Sequence, residues 1–396
     1  MTRPPLEVAD LIRAAGTAFF ARSRKWFTWL HLKILTAIVS CRTSALGGHI
    51  DECSRCGNRA ISFNSCRNRH CPKCQSNARD RWLDARRREL LPVPYAHVVF
   101  TLPHQLAPLA LQNKSEIYGL LFRASAETLL AVARDPRHLG AEIGFFSVLH
   151  TWNQKLQHHP HVHCVVPAGG LAPNHTRWIA AATGFFLPVK VLSRVFRGKF
   201  VAGLRELHAN GSLEFHGGLA ALASPPAFAA MLRSLFRSDW VVYSKRPFGG
   251  AEHALRYLGG YTHRVAISNH RLVALDQGEV KFRWCDSAHK NKKRLMQLPL
   301  EEFLRRFFRH VLPTGFVRIR HFGFFAHRRR AALLPLCFAQ LAGAANPPTP
   351  LPQTPSEIPR PLWSCPRCGG AMTILERFTA AEARFRSPPI SQLERM

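Results

Sequence analysis

Acidic residues are scarce in this chain: 24 Asp and Glu stand against 55 Lys and Arg in 396 residues, which gives a net charge of +31. The chain also lacks any run of the roughly 18–20 apolar residues that a membrane-spanning helix requires. Its early apolar run, 34–39, has no signal-peptide cleavage signature, so we expect a reducing, cytoplasmic location. With no membrane segment, the positive charge favours nucleic acid as the partner.

No GxxxxGK[ST] phosphate-binding loop occurs, which argues against a fused helicase. No internal repeat of fixed period is present either. The hydrophobic fraction of 46% excludes a wholly disordered chain. Helix-like and strand-like segments alternate without a regular βαβ rhythm, which predicts an α+β fold. The expected elements are helices at 6–39, 77–91, 117–133, 252–261 and 301–310, strands at 95–102, 161–166 and 240–243, and a hairpin of 271–275 with 280–284.

The eleven cysteines are expected to be metal ligands or free thiols, because a reducing compartment disfavours disulfides. Two CxxC pairs, Cys53 with Cys56 and Cys71 with Cys74, lie in a polar segment that cannot build an apolar core. Their spacing predicts one tetrahedral zinc ion held by all four thiolates. Zinc binding would supply the folding free energy that this segment lacks.

Other cysteines and histidines leave the ligand set open. Nearby residues could replace a ligand or hold a second ion: Cys41, His49, Cys66 and His70. A third CxxC pair, Cys365 with Cys368, follows the proline-dense segment 346–361. This pair could recruit Cys337, bind with ligands across the fold, or hold no metal.

Three histidines alternate in a strand-like segment. His159, His161 and His163 are expected to share one face of a strand, with Val162 on the opposite, core-facing side. The pair His161 and His163 could bind one divalent cation and leave coordination positions open for a phosphate. The alternative is ordinary histidines in a chain that contains 21 of them.

Tyrosine is scarce, yet two of the five tyrosines, Tyr257 and Tyr261, are four residues apart. On a helix this spacing puts both phenols on one face. A phenol has a pKa near 10 and needs a cation nearby to act as a nucleophile. A metal at the histidine pair, with Arg264 close by, would meet that need. His253, one turn earlier, is a candidate third ligand or proton shuttle, and an aromatic core stripe is the alternative.

These motifs, taken in chain order, resemble the rolling-circle transposases of the insertion-sequence ninety-one type, which are two-tyrosine HUH endonucleases. The matching segments are 41–43 with 46–49, 65–74, 97–103, 159–163 with 169–170, 257–268, 310–313 and 318–323. The resemblance implies a zinc-binding region followed by a catalytic antiparallel sheet with flanking helices and the histidine strand at its centre. His161 and His163 fall on the family's metal-binding pair, and Tyr257 and Tyr261 on its nucleophiles. Where the family commonly has an arginine before the second tyrosine, this chain has Gly260.

The implied reaction is metal-assisted nicking and strand transfer of single-stranded DNA through 5′-phosphotyrosine, for transposition of an insertion sequence. It implies Mg²⁺ or Mn²⁺ at the catalytic centre and structural Zn²⁺. The partners are single-stranded DNA at element ends and target, and no membrane. The pattern does not fix the third metal ligand, for which His253 and His159 are candidates. The predicted DNA contacts are Arg264, Arg67, Arg69 and Lys73.

The predicted domains are a helical and zinc-binding DNA-recognition domain (1–91), the two-tyrosine catalytic domain (92–335), and a proline-rich linker with a CxxC tail (336–396).

Two other functions fit part of the pattern. A plasmid replication initiator or relaxase would share the chemistry. A non-catalytic zinc-finger DNA-binding protein would explain the charge and the CxxC pairs, but not the histidine strand together with the tyrosines.

Overall fold

The structure is a computed structural model that describes residues 4–182, 184–248, 259, 266–286, 289, 291–342 and 364–386. Within these residues no helix is long and apolar enough to cross a bilayer. Its helices are α1 (Val8–Arg22), α2 (Trp29–Ser40), α3 (Gln75–Arg87), α4 (Ala107–Gln112), α5 (Lys114–Arg134), α6 (Val189–Ala209), α7 (Pro225–Ser234), α8 (Leu300–Arg309), α9 (His327–Ala342) and α10 (Ala380–Arg386).

The strands of the described residues form four antiparallel sheets, and the largest of these has the order β12-β4-β5-β3-β8. The bounds are β1 (Gly48–Cys53), β2 (Arg59–Phe63), β3 (Tyr95–Thr101), β4 (Gly144–Trp152), β5 (His158–Pro167), β6 (Gly169–Leu171), β7 (Trp178–Ala180), β8 (Val242–Phe248), β9 (Leu272–Asp276), β10 (Glu279–Asp286), β11 (Lys292–Pro299), β12 (Ile319–Gly323) and β13 (Met372–Phe378).

This architecture confirms the predicted α+β class, with β5, the histidine strand, third of five in the central sheet. The predicted strand 95–102 and the predicted hairpin are confirmed as β3 and as β9 with β10. The segment 6–39, predicted to be helical, forms two helices, α1 and α2, and the chain turns between them. Phe19, Trp26 and Phe27 pack edge to face at that corner.

The two faces of the central sheet have different surroundings. Alternate residues point to opposite faces of a strand, and Val98, Val162 and Cys164 point into the main apolar core, which contains residues of α5 and α6. The predicted core position of Val162 is therefore confirmed. The other face carries His97, His150, His161 and His163, together with Tyr95, Phe146 and Val165, which share a separate apolar core with residues of α9.

A second apolar core joins the N-terminal helices to the later part of the chain. Residues of α1 and α2 share it with Ala266, Ile267, the β9–β10 hairpin and α8. A third core combines Leu90, Leu91 and Tyr95 with Leu333 and Leu341. Packing therefore crosses both predicted domain boundaries, at 91 and at 335.

The C-terminal segment packs against the N-terminal region. Strand β13 pairs antiparallel with β1, from Gly48 opposite Phe378 to Cys53 opposite Met372. The small sheet has the order β13-β1-β2, so a strand from the tail of the chain extends a hairpin that forms near its beginning.

Candidate metal centres and nucleic-acid interface

Three histidines of the central sheet bring their side chains together. His161 and His163 lie on β5, and His150 lies on the neighbouring β4, directly opposite His161 in the strand register. One ring nitrogen from each of the three lies within 4.8 Å of the others. His150 and His163 are buried and His161 is half-buried. Three imidazoles that converge on one point can hold a divalent cation.

Neighbouring acceptors fix the orientation of the imidazoles of His161 and His163 on β5. Nδ1 of His161 lies 2.7 Å from the carbonyl oxygen of His159, to which it can donate. Nδ1 of His163 lies 2.8 Å from Nε2 of His97 on β3, and the two rings are stacked. In both residues Nε2 is therefore the nitrogen suited to a cation, in the pattern by which outer partners orient metal-ligating histidines.

Burial keeps the imidazoles of His161 and His163 neutral. It lowers the pKa of His161 to about 4. Burial, followed by the charges of His150, His161 and His97, lowers the pKa of His163 well below its usual value. A neutral imidazole offers the lone pair that metal coordination needs, so His161 and His163 have the protonation state of metal ligands at neutral pH.

His159, a predicted third ligand, lies outside this group although it lines the same cleft. The register explains why. Between the pairs His150–His161 and Trp152–His158, strand β5 has one more residue than β4. Such a bulge interrupts the alternation on which the prediction depended. His150 occupies the third position instead, and His253, the other candidate, lies outside the described residues.

The histidine cluster opens into a cleft of about 640 Å³. Its wall includes Trp152, Lys155 and Trp284, with the Lys155 ammonium 4.4 Å from the centre of the Trp284 ring. Ala266 and Ser268 also line it. Aromatic and cationic side chains side by side are typical of surfaces that bind single-stranded nucleic acid.

The predicted nucleophiles Tyr257 and Tyr261, and the predicted DNA contact Arg264, lie outside the described residues. The chain that follows them is described, and it begins with Ala266 in the wall of this cleft.

A second cleft, of about 970 Å³, lies between the zinc-binding region and β12. None of the described residues that line it is acidic, and five of them are arginines: Arg42, Arg67, Arg69, Arg318 and Arg320. Arg42 and Arg67 are exposed, and both have positive φ, 58° and 51°. This backbone conformation is uncommon outside glycine and is often found at functional positions.

Two of the predicted DNA contacts are engaged by protein atoms. Arg69 donates from Nη1 to the carbonyl oxygen of Phe316 (2.5 Å) and from Nη2 to that of Pro313 (2.7 Å). The ammonium of Lys73 lies 2.5 Å from a carboxylate oxygen of Glu7 and is largely buried. Protein acceptors therefore occupy donors of Arg69 and Lys73 that the sequence predicts to contact DNA, whereas Arg67 faces the cleft.

The cysteines form two clusters rather than the single one predicted. Cys71 and Cys74 lie with Cys41 and Cys66, and Cys53 and Cys56 lie with Cys365 and Cys368, each set of Sγ atoms within 4.8 Å of one another. The prediction that the two N-terminal CxxC pairs share one ion is wrong, because the β1–β13 pairing brings the tail pair to Cys53 and Cys56. His49, His70 and Cys337 belong to neither cluster.

Comparisons with known proteins agree with these features. A family model described as "Transposase zinc-binding domain", of the IS91 type, matches residues 11–102. A second one, described as "Putative transposase", matches residues 144–332 and therefore the histidine strands. No solved structure gives a significant match.

Two curated relatives extend over most of the chain. It is 51% identical over 387 residues to "Putative transposase y4qJ" of Sinorhizobium fredii (strain NBRC 101917 / NGR234), covering 96% of this chain and 97% of the relative. It is 28% identical over 369 residues to the "Transposase for insertion sequence element IS801" of Pseudomonas savastanoi pv. phaseolicola, covering 89% and 84%.

These matches first establish the class of protein, because they show that the chain is a DNA-processing enzyme. The chain belongs to the IS91-type family of transposases with a zinc-binding domain. The resemblance stated from the motifs is thereby confirmed, and transposase is favoured over a replication initiator, a relaxase or a non-catalytic zinc-finger protein.

Proposed function

We propose that this transposase nicks and rejoins single-stranded DNA through a covalent 5′-phosphotyrosine, as required for rolling-circle transposition of an insertion sequence. The observation that carries the proposal is the convergence of His150, His161 and His163 in a cleft whose wall includes Ala266, which follows Tyr261 by five residues in the sequence. A cation site and a nucleophile-bearing segment would then share one surface.

The bonds and protons of the cleavage step balance without any reactant besides the tyrosine and the DNA. The phenol oxygen of Tyr257 or Tyr261 attacks the scissile phosphorus, a tyrosyl–phosphorus bond forms and the bond to the 3′ oxygen breaks. The phenol proton leaves to solvent, and the 3′ oxygen departs as an alkoxide that takes up a proton and becomes a hydroxyl. The second tyrosine repeats the attack for strand transfer. Since each transesterification conserves a phosphoester bond, no nucleotide hydrolysis is needed.

The donor set fits a divalent cation, because the imidazoles of His161 and His163 are neutral and oriented. A cation bound there would polarise the scissile phosphate and stabilise charge on its oxygens. Mg²⁺ prefers oxygen ligands and near-octahedral geometry, so a site of three imidazoles suits Mn²⁺ better. The aromatic rings of Trp152 and Trp284 would stack with unpaired bases beside the cluster.

The direct test is cleavage of a single-stranded oligonucleotide that carries a candidate element end. Purified protein with Mn²⁺ is expected to give a cleaved product and a protein–DNA adduct that resists denaturation, and chelation of the ion should stop both. DNA binding without cleavage under any divalent ion would contradict the proposal and favour a purely DNA-binding role.

We further propose that Cys41, Cys66, Cys71 and Cys74 hold the structural zinc of the N-terminal region. The Sγ of Cys74 lies 3.5 Å from that of Cys41 and 3.6 Å from that of Cys66. Tetrahedral zinc with bonds of about 2.3 Å places its sulfurs about 3.8 Å apart, close to these distances. The buried Cys41 and Cys71 also belong to the second apolar core, so this ion would join α2 to the rest of the fold.

His97 is expected to act as a positioning residue for His163. For Nε2 of His163 to coordinate, its Nδ1 must carry the proton and donate to Nε2 of His97. His97→Ala should weaken Mn²⁺ binding by about 10–100-fold, as measured by calorimetry, while saturating Mn²⁺ restores much of the cleavage rate. A purely structural role would instead lower the thermal midpoint and leave the metal affinity of the folded fraction unchanged.

The second cleft is expected to bind DNA phosphates. Replacing Arg42 and Arg67 by Gln should weaken oligonucleotide binding and flatten its salt dependence, by about 0.7 in the slope of log K against log salt for each lost contact. Arg233→Gln is the matched control, since Arg233 is exposed and lines neither cleft. Equal slopes for the double variant and the control would refute a DNA contact at this cleft.

A further inference from the structure

The tail CxxC pair and the first CxxC pair of the chain lie against each other. The Sγ of Cys53 is 3.5 Å from that of Cys368, and the Sγ of Cys56 is 3.6 Å from that of Cys365 and 3.4 Å from that of Cys368. These distances approach the sulfur separation of about 3.8 Å in a tetrahedral zinc site. Four thiols at such distances form the donor set of a closed structural site.

The two pairs are also built alike. In the first, the backbone N–H of Arg55 points to the Sγ of Cys53 (3.4 Å), and Gly57 donates to the carbonyl oxygen of Cys53 (3.0 Å). In the second, Arg367 and Gly369 make the same two contacts with Cys365, at 3.4 Å and 2.9 Å. Both glycines have positive φ, 67° and 71°. The repeated N–H···S geometry stabilises a thiolate on both sides of the cluster.

Close backbone approach brings the two pairs together. A Cβ at Gly47 would lie 2.5 Å from the carbonyl oxygen of Phe378. One at Gly370 would lie 2.9 Å from the Cβ of Arg55 and 3.1 Å from the Sγ of Cys53. Only glycine allows the tail strand and its CxxC turn to pack this closely against β1.

We propose that Cys53, Cys56, Cys365 and Cys368 form a second zinc site, which fastens the C-terminal segment to the N-terminal zinc-binding region. The family's zinc-binding match ends at residue 102 and includes only one half of this ligand set. Each half supplies two ligands, so neither pair closes a site alone. The ion thus cross-links two segments that are far apart in the chain, and the 364–386 segment becomes part of the zinc-binding region despite its place in the sequence.

Cysteine alkylation of the wild-type protein tests the ligand grouping without a mutation. Cys56 is the informative residue, because it is exposed and would react rapidly as a free thiol. In zinc-loaded full-length protein, Cys53, Cys56, Cys365 and Cys368 are expected to resist alkylation together and to lose protection together as a chelator is added. Rapid alkylation of Cys56 in the zinc-loaded protein would overturn the proposal.

Zinc content tests the same site by substitution. The two cysteine clusters of the wild type should hold two zinc ions per chain, in addition to any zinc at the histidine cluster, and those of C365S/C368S should hold one. In that variant Cys56 should become reactive, while Cys71 and Cys74 stay protected. C337A is the matched control, since Cys337 is in neither cluster, and should retain both ions. Two bound ions with a protected Cys56 in C365S/C368S would contradict the site.

Discussion

Replacing either His161 or His163 by alanine is expected to lower the rate of single-strand cleavage by about 10³-fold. Loss of the bound cation removes stabilisation of the charged transition state, and a thousandfold loss corresponds to about 4 kcal/mol in the activation free energy. The rate should be measured under single-turnover conditions with saturating Mn²⁺, so that chemistry is separated from DNA binding and product release.

His216→Ala is the matched control, because His216 is exposed and lines neither cleft. It should cleave at the wild-type rate. His150→Ala belongs in the same series, since His150 is the third member of the cluster. If H161A and H163A bind DNA with normal affinity and cut as fast as the control, the cluster is not the catalytic centre.

The second large effect concerns the tyrosines. Y257F and Y261F should each impair covalent capture of a single-stranded oligonucleotide, and the double variant should abolish it, because phenylalanine has no oxygen to attack phosphorus. The measurement is the denaturant-stable adduct seen on a gel with a labelled oligonucleotide. DNA affinity should change little, since the ring is retained.

Tyr243 provides the control for this series. It is exposed on β8, with its ring 6.5 Å from that of His97, so it is a tyrosine close to the histidine face. Y243F should form the adduct normally. An undiminished adduct in the Y257F/Y261F double variant would contradict the nucleophile assignment, and loss of the adduct in Y243F alone would point to Tyr243 instead.

Local patterns in the sequence predicted the histidine strand well. The alternation of His161, Val162 and His163 holds in β5, with Val162 buried in the main core. The hairpin of β9 and β10 follows from its Asp-Gln-Gly turn, in which Gly278 has positive φ. These features depend on neighbours within a few residues, where chain geometry alone restricts the conformations.

Features that depend on distant pairing could not be predicted. His150 joins the cluster only because β4 pairs with β5 in one particular register, and a β5 bulge excludes His159. Likewise, the spacing of the two N-terminal CxxC pairs is compatible with a single shared zinc site as well as with two separate sites. The choice between one cluster and two is made by the pairing of β1 with β13, which come from opposite ends of the described chain. Register between distant strands is set by whole-sheet packing, which spacing within a segment does not encode.

The most direct test of the account is mass-spectrometric mapping of the residue joined to a single-stranded oligonucleotide that carries a candidate element end. After incubation of the wild-type protein with Mn²⁺, we predict a 5′-phosphate linked to the phenol oxygen of Tyr257 or Tyr261, with a free 3′-hydroxyl on the released strand. An adduct on any other residue, or cleavage that releases both ends without a covalent protein–DNA species, would contradict it.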